Sequence, residues 1–127
     1  MWIAYYSTDE VNRALVCRWA SRVNTRLMRP TLSAAEPRAD AKVFDLDFLP
    51  DSYRAAWVSR LLAGEVRGPV LVHGHRITDA EAGALSRRGV NVSRGCLRRS
   101  KFLVWLAACR SDAPGALKLF QPEAPAR

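Results

Sequence analysis

The chain has 127 residues, of which 49% are hydrophobic and 25% charged, and its net charge is +8. This length suits one domain with a substantial core, and no apolar run approaches the roughly 18–20 residues that span a bilayer. No signal peptide is recognisable and the three cysteines show no CxxC spacing, so we expect a soluble cytoplasmic protein with reduced, mostly buried thiols and no disulfide framework or zinc site.

The first segments of the chain predict a strand, a helix and a second strand. Residues 2–6 are apolar and aromatic, as in a buried strand. A helix is predicted over residues 9–24, with Thr8 as its N-cap, and residues 26–29 form a weaker second strand. The apolar stripe of the helix is expected at Val11, Leu15, Trp19 and Val23.

The middle of the chain continues the alternation. Residues 31–41 are small and polar and predict a loop with at most one helical turn. Residues 42–47 predict the third strand, and residues 51–63 predict a helix that Gly64 closes.

The last third predicts two more strands and two more helices. Residues 69–73 and 90–93 predict strands, and Thr78 caps a helix that extends to Arg88. A final helix is predicted over residues 97–110. Its apolar face comprises Phe102, Trp105, Leu106 and Cys109.

This pattern predicts an α/β fold of one domain over residues 1–111. Strands that alternate with helices and are apolar throughout indicate a five-stranded parallel sheet covered on both faces, a three-layer sandwich of flavodoxin-like order. The Ala/Pro-rich residues 112–127 predict a loosely ordered tail, in which residues 117–120 are apolar enough to dock. Ligands of such sheets bind at the carboxyl ends of the strands.

The order and spacing of several motifs resemble a response-regulator receiver domain. YYSTDEVNRAL resembles the first strand and helix start of that family, and VFDLDFLPDS resembles the third strand that ends in the phosphoacceptor aspartate. PVLVHGH and GVNVSRG resemble its fourth and fifth strands. The resemblance covers residues 2–110 and implies a receiver-like fold, with the family's second helix reduced or absent.

The resemblance also implies a degenerate phosphoacceptor pocket. The family's two acidic Mg²⁺ ligands are replaced by hydroxyl side chains, its phosphoryl-binding Ser/Thr by glycine, and its lysine by arginine at best. The residues of this vestigial pocket are Ser7, Thr8, Asp45, Asp47, Gly74 and Arg94. Hydroxyl groups supply no charge to hold a hard dication, so we expect no catalytic residue, no bound metal and no cofactor.

The pair Asp45 and Asp47 also resembles the Asp-x-Asp signature of haloacid-dehalogenase-type phosphatases. That signature needs Gly and Thr after the second aspartate, whereas Phe48 and Leu49 follow here. The competing interpretation is structural, with both carboxylates at the strand tip bound by helix N-terminal amides. His73 and His75 have the spacing of some metal sites, but a loop with one hydrogen-bonded histidine is the simpler interpretation.

Core positions are the default interpretation of the remaining apolar side chains that were singled out. Trp2 is expected at the surface. Core positions are expected for Cys17, Cys109, Trp19, Trp57 and Trp105.

The positive charge is concentrated in the last third, where nine Lys/Arg face two Asp/Glu after residue 83. Receiver domains use their fourth helix, fifth strand and fifth helix to dimerise and to bind partners, and by resemblance this face contains most of the excess charge. It comprises Arg87, Arg88, Val90, Val92, Arg94, Arg98, Arg99 and Lys101.

The resulting hypothesis is a bacterial pseudo-receiver: a non-enzymatic, phosphorylation-independent signalling module that binds an acidic protein partner or a second copy of itself. The alternative is a nucleic-acid-binding domain that uses the same basic face. The third interpretation is a phosphoaccepting receiver or a phosphatase that uses Asp45 or Asp47. Membrane association is not expected.

Overall fold

The computed structural model describes residues 1–111, and this part contains five strands, four helices and one short 3₁₀ turn. In chain order these are β1 Trp2–Tyr6, α1 Glu10–Ser21, β2 Arg26–Met28, β3 Ala41–Asp45, the 3₁₀ turn Leu46–Phe48, α2 Asp51–Leu62, β4 Val70–Gly74, α3 Asp79–Arg87, β5 Asn91–Arg94 and α4 Arg99–Arg110. The predicted tail, including residues 117–120, lies outside the described residues.

The sheet is parallel throughout and has the order β2-β1-β3-β4-β5. This is the flavodoxin-like order that the sequence predicts, with the strand order reversing between β1 and β3. The carboxyl ends of β1 and β3 are therefore adjacent and open toward the same side of the molecule. Strand β5 is an edge of the sheet.

Two apolar clusters cover the two faces of the sheet. Alternating residues of β1, β3 and β4 enter opposite clusters, as Tyr5 and Tyr6 do in β1. One cluster packs against α2 and α3 and contains Trp57, while the other packs against α1 and α4 and contains Phe102 and Trp105. The predicted three-layer sandwich is confirmed.

No helix connects β2 to β3. The family's second helix is therefore absent from this loop, in agreement with the expectation that it would be reduced or absent. Aromatic side chains of the core bind its backbone instead: Trp57 Nε1 donates a 2.6 Å hydrogen bond to the carbonyl of Leu32. The hydroxyl of Tyr6 donates to the carbonyl of Ala34 and accepts from the amide of Glu36. The loop thus covers part of the core that a helix would otherwise cover.

The predicted apolar face of α1 is wrong in its first half, at Val11 and Leu15, whereas Trp19 and Val23 are partly buried and pack against the core. The buried residues of this helix are Arg13, Val16 and Ala20, whereas Val11 is 69% exposed and Leu15 is also exposed. The N-cap is Asp9, whose side chain accepts from the amide of Val11, rather than Thr8. The buried side of the helix differs from the predicted one at its start because Arg13 faces the sheet. There its guanidinium donates to the backbone carbonyls of Tyr5 and Ser7, which no apolar side chain can do.

Two further core predictions need correction. Cys17 is exposed and Trp19 is only partly buried, as both lie outside the buried face of α1. Cys96 is also exposed, so most of the thiols are not buried. Burial of Cys109 on α4 raises its pKa to about 12, and the predicted core positions of Trp57 and Trp105 are confirmed. Trp2 is exposed, as predicted.

Within residues 1–111, every helix is too short and too polar to cross a lipid bilayer.

Candidate functional site

The carboxyl ends of β1, β3, β4 and β5 meet at one side of the sheet and bring together two polar clusters. The inner cluster comprises Tyr5, Ser7, Asn12, Asp45 and His73, and the outer cluster comprises Asp47, His75, Arg76 and Cys96. Asp45 is the last residue of β3, and Asp47 lies in the 3₁₀ turn that follows it.

The inner cluster surrounds the carboxylate of Asp45, which is 1% exposed. Its Oδ2 accepts hydrogen bonds from Ser7 Oγ at 2.8 Å, from Asn12 Nδ2 at 3.0 Å and from the hydroxyl of Tyr5 at 3.5 Å. Buried carboxylates need such donors, since the loss of water is otherwise very unfavourable. The donors come from the end of β1 and the start of α1, which are the two elements nearest to the end of β3.

His73 completes the inner cluster from β4. Its ring stacks on Tyr5 with the ring planes 6° apart, and its Nε2 lies 3.1 Å from the hydroxyl of Tyr5. Its Nδ1 lies 4.0 Å from Asp45 Oδ1. Burial lowers the pKa of His73, although the nearby Asp45 opposes that effect, so the imidazole is neutral at pH 7. Burial also raises the pKa of Tyr5, which keeps its hydroxyl protonated.

Arg13 supports the inner cluster from α1. Its guanidinium donates to the backbone carbonyls of Tyr5 and Ser7 and lies 5.4 Å from the centre of the Tyr5 ring. These contacts fix the end of β1, and with it the hydroxyl of Ser7. Burial lowers the pKa of Arg13, yet an arginine remains charged at any ordinary pH.

The outer cluster is built around Asp47. The backbone amides of His75 and Arg76 donate to its carboxylate at 2.7–3.0 Å, and the Nδ1 of His75 lies 3.0 Å from Asp47 Oδ2. Burial raises the pKa of Asp47, but these hydrogen bonds outweigh that effect and hold the pKa below its ordinary value. On the other side of the ring, the Nε2 of His75 lies 3.7 Å from the sulfur of Cys96.

A pocket of about 220 Å³ lies beside both clusters. Asp45 and His73 line its buried part, while His75 and Cys96 lie at its exposed side. Its apolar lining comes from α1, the 3₁₀ turn and the loop after β5, through Leu15, Val16, Trp19, Phe48 and Leu97. Within residues 1–111, no three His, Cys, Asp or Glu side chains are placed to share a metal ion.

The structure brings most of the predicted vestigial pocket together. Ser7 contacts Asp45, and Gly74 lies so close to Asp47 that a Cβ there would be 2.9 Å from Asp47 Oδ1. Thr8 is adjacent to the site, but its hydroxyl donates to the carbonyl of Phe48.

Arg94 does not face the predicted pocket. Its guanidinium donates to the carboxylate of Asp79 and to the carbonyl of Ile77, so it fastens the start of α3 to the end of β5. Its assignment to the vestigial pocket is therefore corrected, whereas its side chain is 49% exposed and its role on the partner-binding face stays a prediction.

The predicted partner-binding face is also changed by the structure. Val90 and Val92 are 6% and 7% exposed and belong to the core, so they do not belong to an exposed surface. The remaining cations flank β5 and form what we call the basic edge: Arg87, Arg88, Arg98, Arg99 and Lys101.

Sequence reasoning did not find Tyr5, Asn12 and Arg13 as part of this site, and it left Cys96 without a role. Tyr5 and Arg13 follow apolar or helical patterns that indicate only packing. His75 was recognisable from the His-x-His spacing, but its partner Cys96 lies 21 residues further along the chain. Only the meeting of two loops places these two side chains together.

No protein-family model and no curated protein matches the sequence. Among solved structures, the receiver domain of ChxR from Chlamydia trachomatis is similar to this chain, with a TM-score of 0.58 and 15% sequence identity. The similarity covers 84% of this chain and 95% of the ChxR domain. The chain therefore has a receiver-like, flavodoxin-like fold.

Proposed function

We propose that this chain is a receiver-like signalling module that binds a protein partner without accepting a phosphoryl group. The surroundings of Asp45 carry the first part of this proposal. Three side-chain donors occupy its Oδ2, and the carboxylate is almost completely buried. An aspartate that attacks a phosphoryl donor needs access to that donor.

The groups that would hold Mg²⁺ and a phosphoryl group are also committed elsewhere. Mg²⁺ requires several oxygen ligands and is usually bound through carboxylates. Ser7 and Thr8 use their hydroxyl groups as donors to Asp45 and to a backbone carbonyl. Arg94 is bound to Asp79 of α3 and to the carbonyl of Ile77, and Gly74 has no side chain, so neither position supplies a group to the phosphoryl oxygens.

The basic edge supports the second part of the proposal. Its four arginines are exposed, and within residues 1–111 none of its five side chains forms an ion pair or a hydrogen bond. Arg87 and Arg88 precede β5, while Arg98, Arg99 and Lys101 follow it. Since β5 is an edge strand, a partner can contact cations at both of its ends. An acidic protein surface complements this charge.

The distribution of exposed aromatic side chains favours a protein partner over single-stranded nucleic acid. Proteins that bind single-stranded nucleic acid combine cations with aromatic side chains on which the bases stack. The exposed aromatic side chains of residues 1–111 are Trp2, Phe48 and Tyr53, in β1, the 3₁₀ turn and α2. None of them belongs to the basic edge.

The phosphorylation-independent part is tested by an amide NMR titration of the labelled protein with Mg²⁺ and then beryllofluoride, which mimics an aspartyl phosphate. We expect the signals of Asp45, Asp47 and Gly74 to stay unchanged. Saturable shifts confined to these residues would show a functional phosphoacceptor and would overturn the proposal.

The binding part is tested with a charge-matched pair of variants. Arg98→Glu/Arg99→Glu removes two cations of the basic edge, while Arg18→Glu/Arg22→Glu makes the same charge change at two exposed positions, one in the last turn of α1 and one at its C-cap. We expect poly-L-glutamate to shift the amide signals of the basic edge, and the first variant alone to weaken that binding by about tenfold or more. Equal losses would indicate a non-specific charge effect.

The same pair of variants separates the nucleic-acid alternative. Fluorescence anisotropy with labelled duplex DNA and single-stranded RNA is measured at two salt concentrations, because phosphate contacts weaken steeply with salt. We expect no binding at either concentration. Salt-sensitive binding that the basic-edge variant alone abolishes would replace the protein partner with nucleic acid.

A further inference from the structure

In the outer cluster a thiol contacts an imidazole, and the imidazole contacts a carboxylate. Cys96 Sγ lies 3.7 Å from His75 Nε2, and His75 Nδ1 lies 3.0 Å from Asp47 Oδ2. A nucleophile, a base within hydrogen-bond reach of it and a third group that orients the base are the elements of nucleophilic catalysis by cysteine. The proposal that this module binds a partner makes no use of this arrangement.

The contact with Asp47 determines which ring nitrogen of His75 carries the proton. An ionised carboxylate only accepts hydrogen bonds, and the lowered pKa of Asp47 keeps it ionised near neutral pH. The Nδ1 of His75 must therefore carry the proton that it donates to Asp47. In the neutral ring Nε2 then has a free lone pair, and this lone pair faces Cys96 and can accept the thiol proton.

Two glycines make this geometry possible. The amide of Gly95 donates a 2.8 Å hydrogen bond to the carbonyl of Gly74, which joins the loops after β4 and β5. Gly95 has a φ of 97°, a conformation that other residues rarely adopt, and it directly precedes Cys96. Gly74 lets the backbone pass against Asp47. The backbone contact between the two loops thus places Cys96 beside His75.

The pocket provides space for a reacting group beside the thiol. His75 and Cys96 both line it, and its volume of about 220 Å³ suits a small molecule. Leu15, Trp19, Phe48 and Leu97 give it an apolar part. Cys17, the other exposed cysteine, does not line this pocket and has no contact with a histidine.

We propose that Cys96 is a nucleophile that accepts a small acyl group from an activated ester or a thioester. The thiol proton passes to Nε2 of His75, and the sulfur attacks the carbonyl carbon. The new S–C bond forms as the bond to the leaving oxygen or sulfur breaks, and His75 returns the proton to the leaving group. Asp47 is a positioning residue that stabilises the imidazolium formed in between. The product is a thioester on Cys96, with the acyl chain in the apolar part of the pocket.

The experiment uses the full chain and p-nitrophenyl acetate as the probe. We expect a burst of one equivalent of p-nitrophenolate and a single acetyl group, which peptide mass spectrometry locates on Cys96. Cys96→Ser abolishes the burst, whereas the matched control Cys17→Ser leaves it unchanged. His75→Gln slows the burst by about 100-fold, as loss of a general base does.

Further measurements separate a catalytic role of His75 from an effect of its substitution on folding. Circular dichroism confirms that each variant is folded, and added imidazole restores part of the rate in His75→Gly. The rate of Asp47→Asn is measured against pH, because a changed tautomer alters that profile whereas a purely structural role does not. Acetylation of Cys17 at the same rate as Cys96, or an unchanged rate in His75→Gln, would overturn the proposal.

Discussion

Asp45 and Asp47 are two residues apart, yet their surroundings are opposite. Asp45 ends a central strand, is 1% exposed and receives its hydrogen bonds from side chains of β1 and α1. Asp47 lies in the turn after that strand, keeps 16% of its side chain exposed and receives its hydrogen bonds mainly from backbone amides. The inner cluster is buried, whereas the outer cluster is partly exposed and has the exposed thiol of Cys96 at its edge.

This difference shows that one edge of a receiver-like fold can hold two polar clusters with different access to solvent. The carboxyl ends of parallel strands expose polar groups wherever the sequence places them. In the inner cluster, three side-chain donors converge on Oδ2 of the buried Asp45. In the outer cluster, backbone amides satisfy Asp47 and leave the far side of His75 available to Cys96.

The largest difference in stability between the two clusters is expected when each carboxylate is removed in turn. Asp45→Ala removes the acceptor of the buried Tyr5 and Ser7 hydroxyls and of the part-buried Asn12 amide, and should lower the free energy of unfolding by about 3 kcal/mol. Asp47→Ala should lower it by about 1 kcal/mol, because water can reach the amides that it leaves. Urea denaturation measures both losses.

The control for this pair is Asp51→Ala, since the side chain of Asp51 is 93% exposed. Its effect should stay within about 0.5 kcal/mol. Similar losses for Asp45→Ala and Asp47→Ala would contradict the distinction between a buried and a partly exposed cluster.

A smaller effect is expected from a methyl group added at the outer cluster. In Gly74→Ala, the new Cβ would lie 2.9 Å from Asp47 Oδ1, so the loop must shift, at a cost of about 2 kcal/mol. The shift should also separate His75 from Cys96 and slow acetylation of the thiol. Thermal denaturation and the p-nitrophenyl acetate burst measure the two consequences.

Gly83→Ala is the matched control, because Gly83 lies within α3 and its new Cβ approaches only the flexible end of Arg87. Alanine is favoured over glycine in helices, so this variant should be more stable by about 0.5 kcal/mol. Unchanged stability and unchanged burst kinetics in Gly74→Ala would mean that the contact between Gly74 and Asp47 is unimportant.

The sheet was predictable from sequence because its signals are local. The five strands are short apolar runs, and their alternation with helices is enough to indicate a parallel sheet. The start of α3 was equally readable, since Thr78 and Glu81 form a capping box within four residues. Such features depend on neighbours in the chain, which the sequence displays directly.

The site was less predictable because its contacts are distant in sequence. Asp45 binds donors that lie 33–40 residues away, and nothing near it in the chain indicates them. The first half of the predicted face of α1 was wrong for the same reason: the position of Arg13 depends on carbonyls of β1, so a polar residue enters the core and Val11 remains outside. Apolar spacing indicates where a helix could be buried, not where polar contacts turn it.

The smallest effect concerns the pH dependence of stability, and it tests whether His73 in the inner cluster stays unprotonated in the folded protein. His73 is neutral in the folded protein because burial lowers its pKa below the ordinary value of 6.5. The unfolded chain binds a proton near pH 6.5, whereas folded His73 does so only at lower pH. The unfolded state therefore holds more protons in this range, and stability should fall as the pH decreases from 7 to 5.

His73→Gln removes this dependence and should flatten the decline between pH 7 and pH 5, although the loss of the Tyr5 contact lowers stability at every pH. Asp47 does not interfere, because its lowered pKa confines its contribution to pH values below about 4. Urea denaturation at several pH values measures these slopes, and the same slope in His73→Gln as in the original chain would show that protons reach the inner cluster in the folded state.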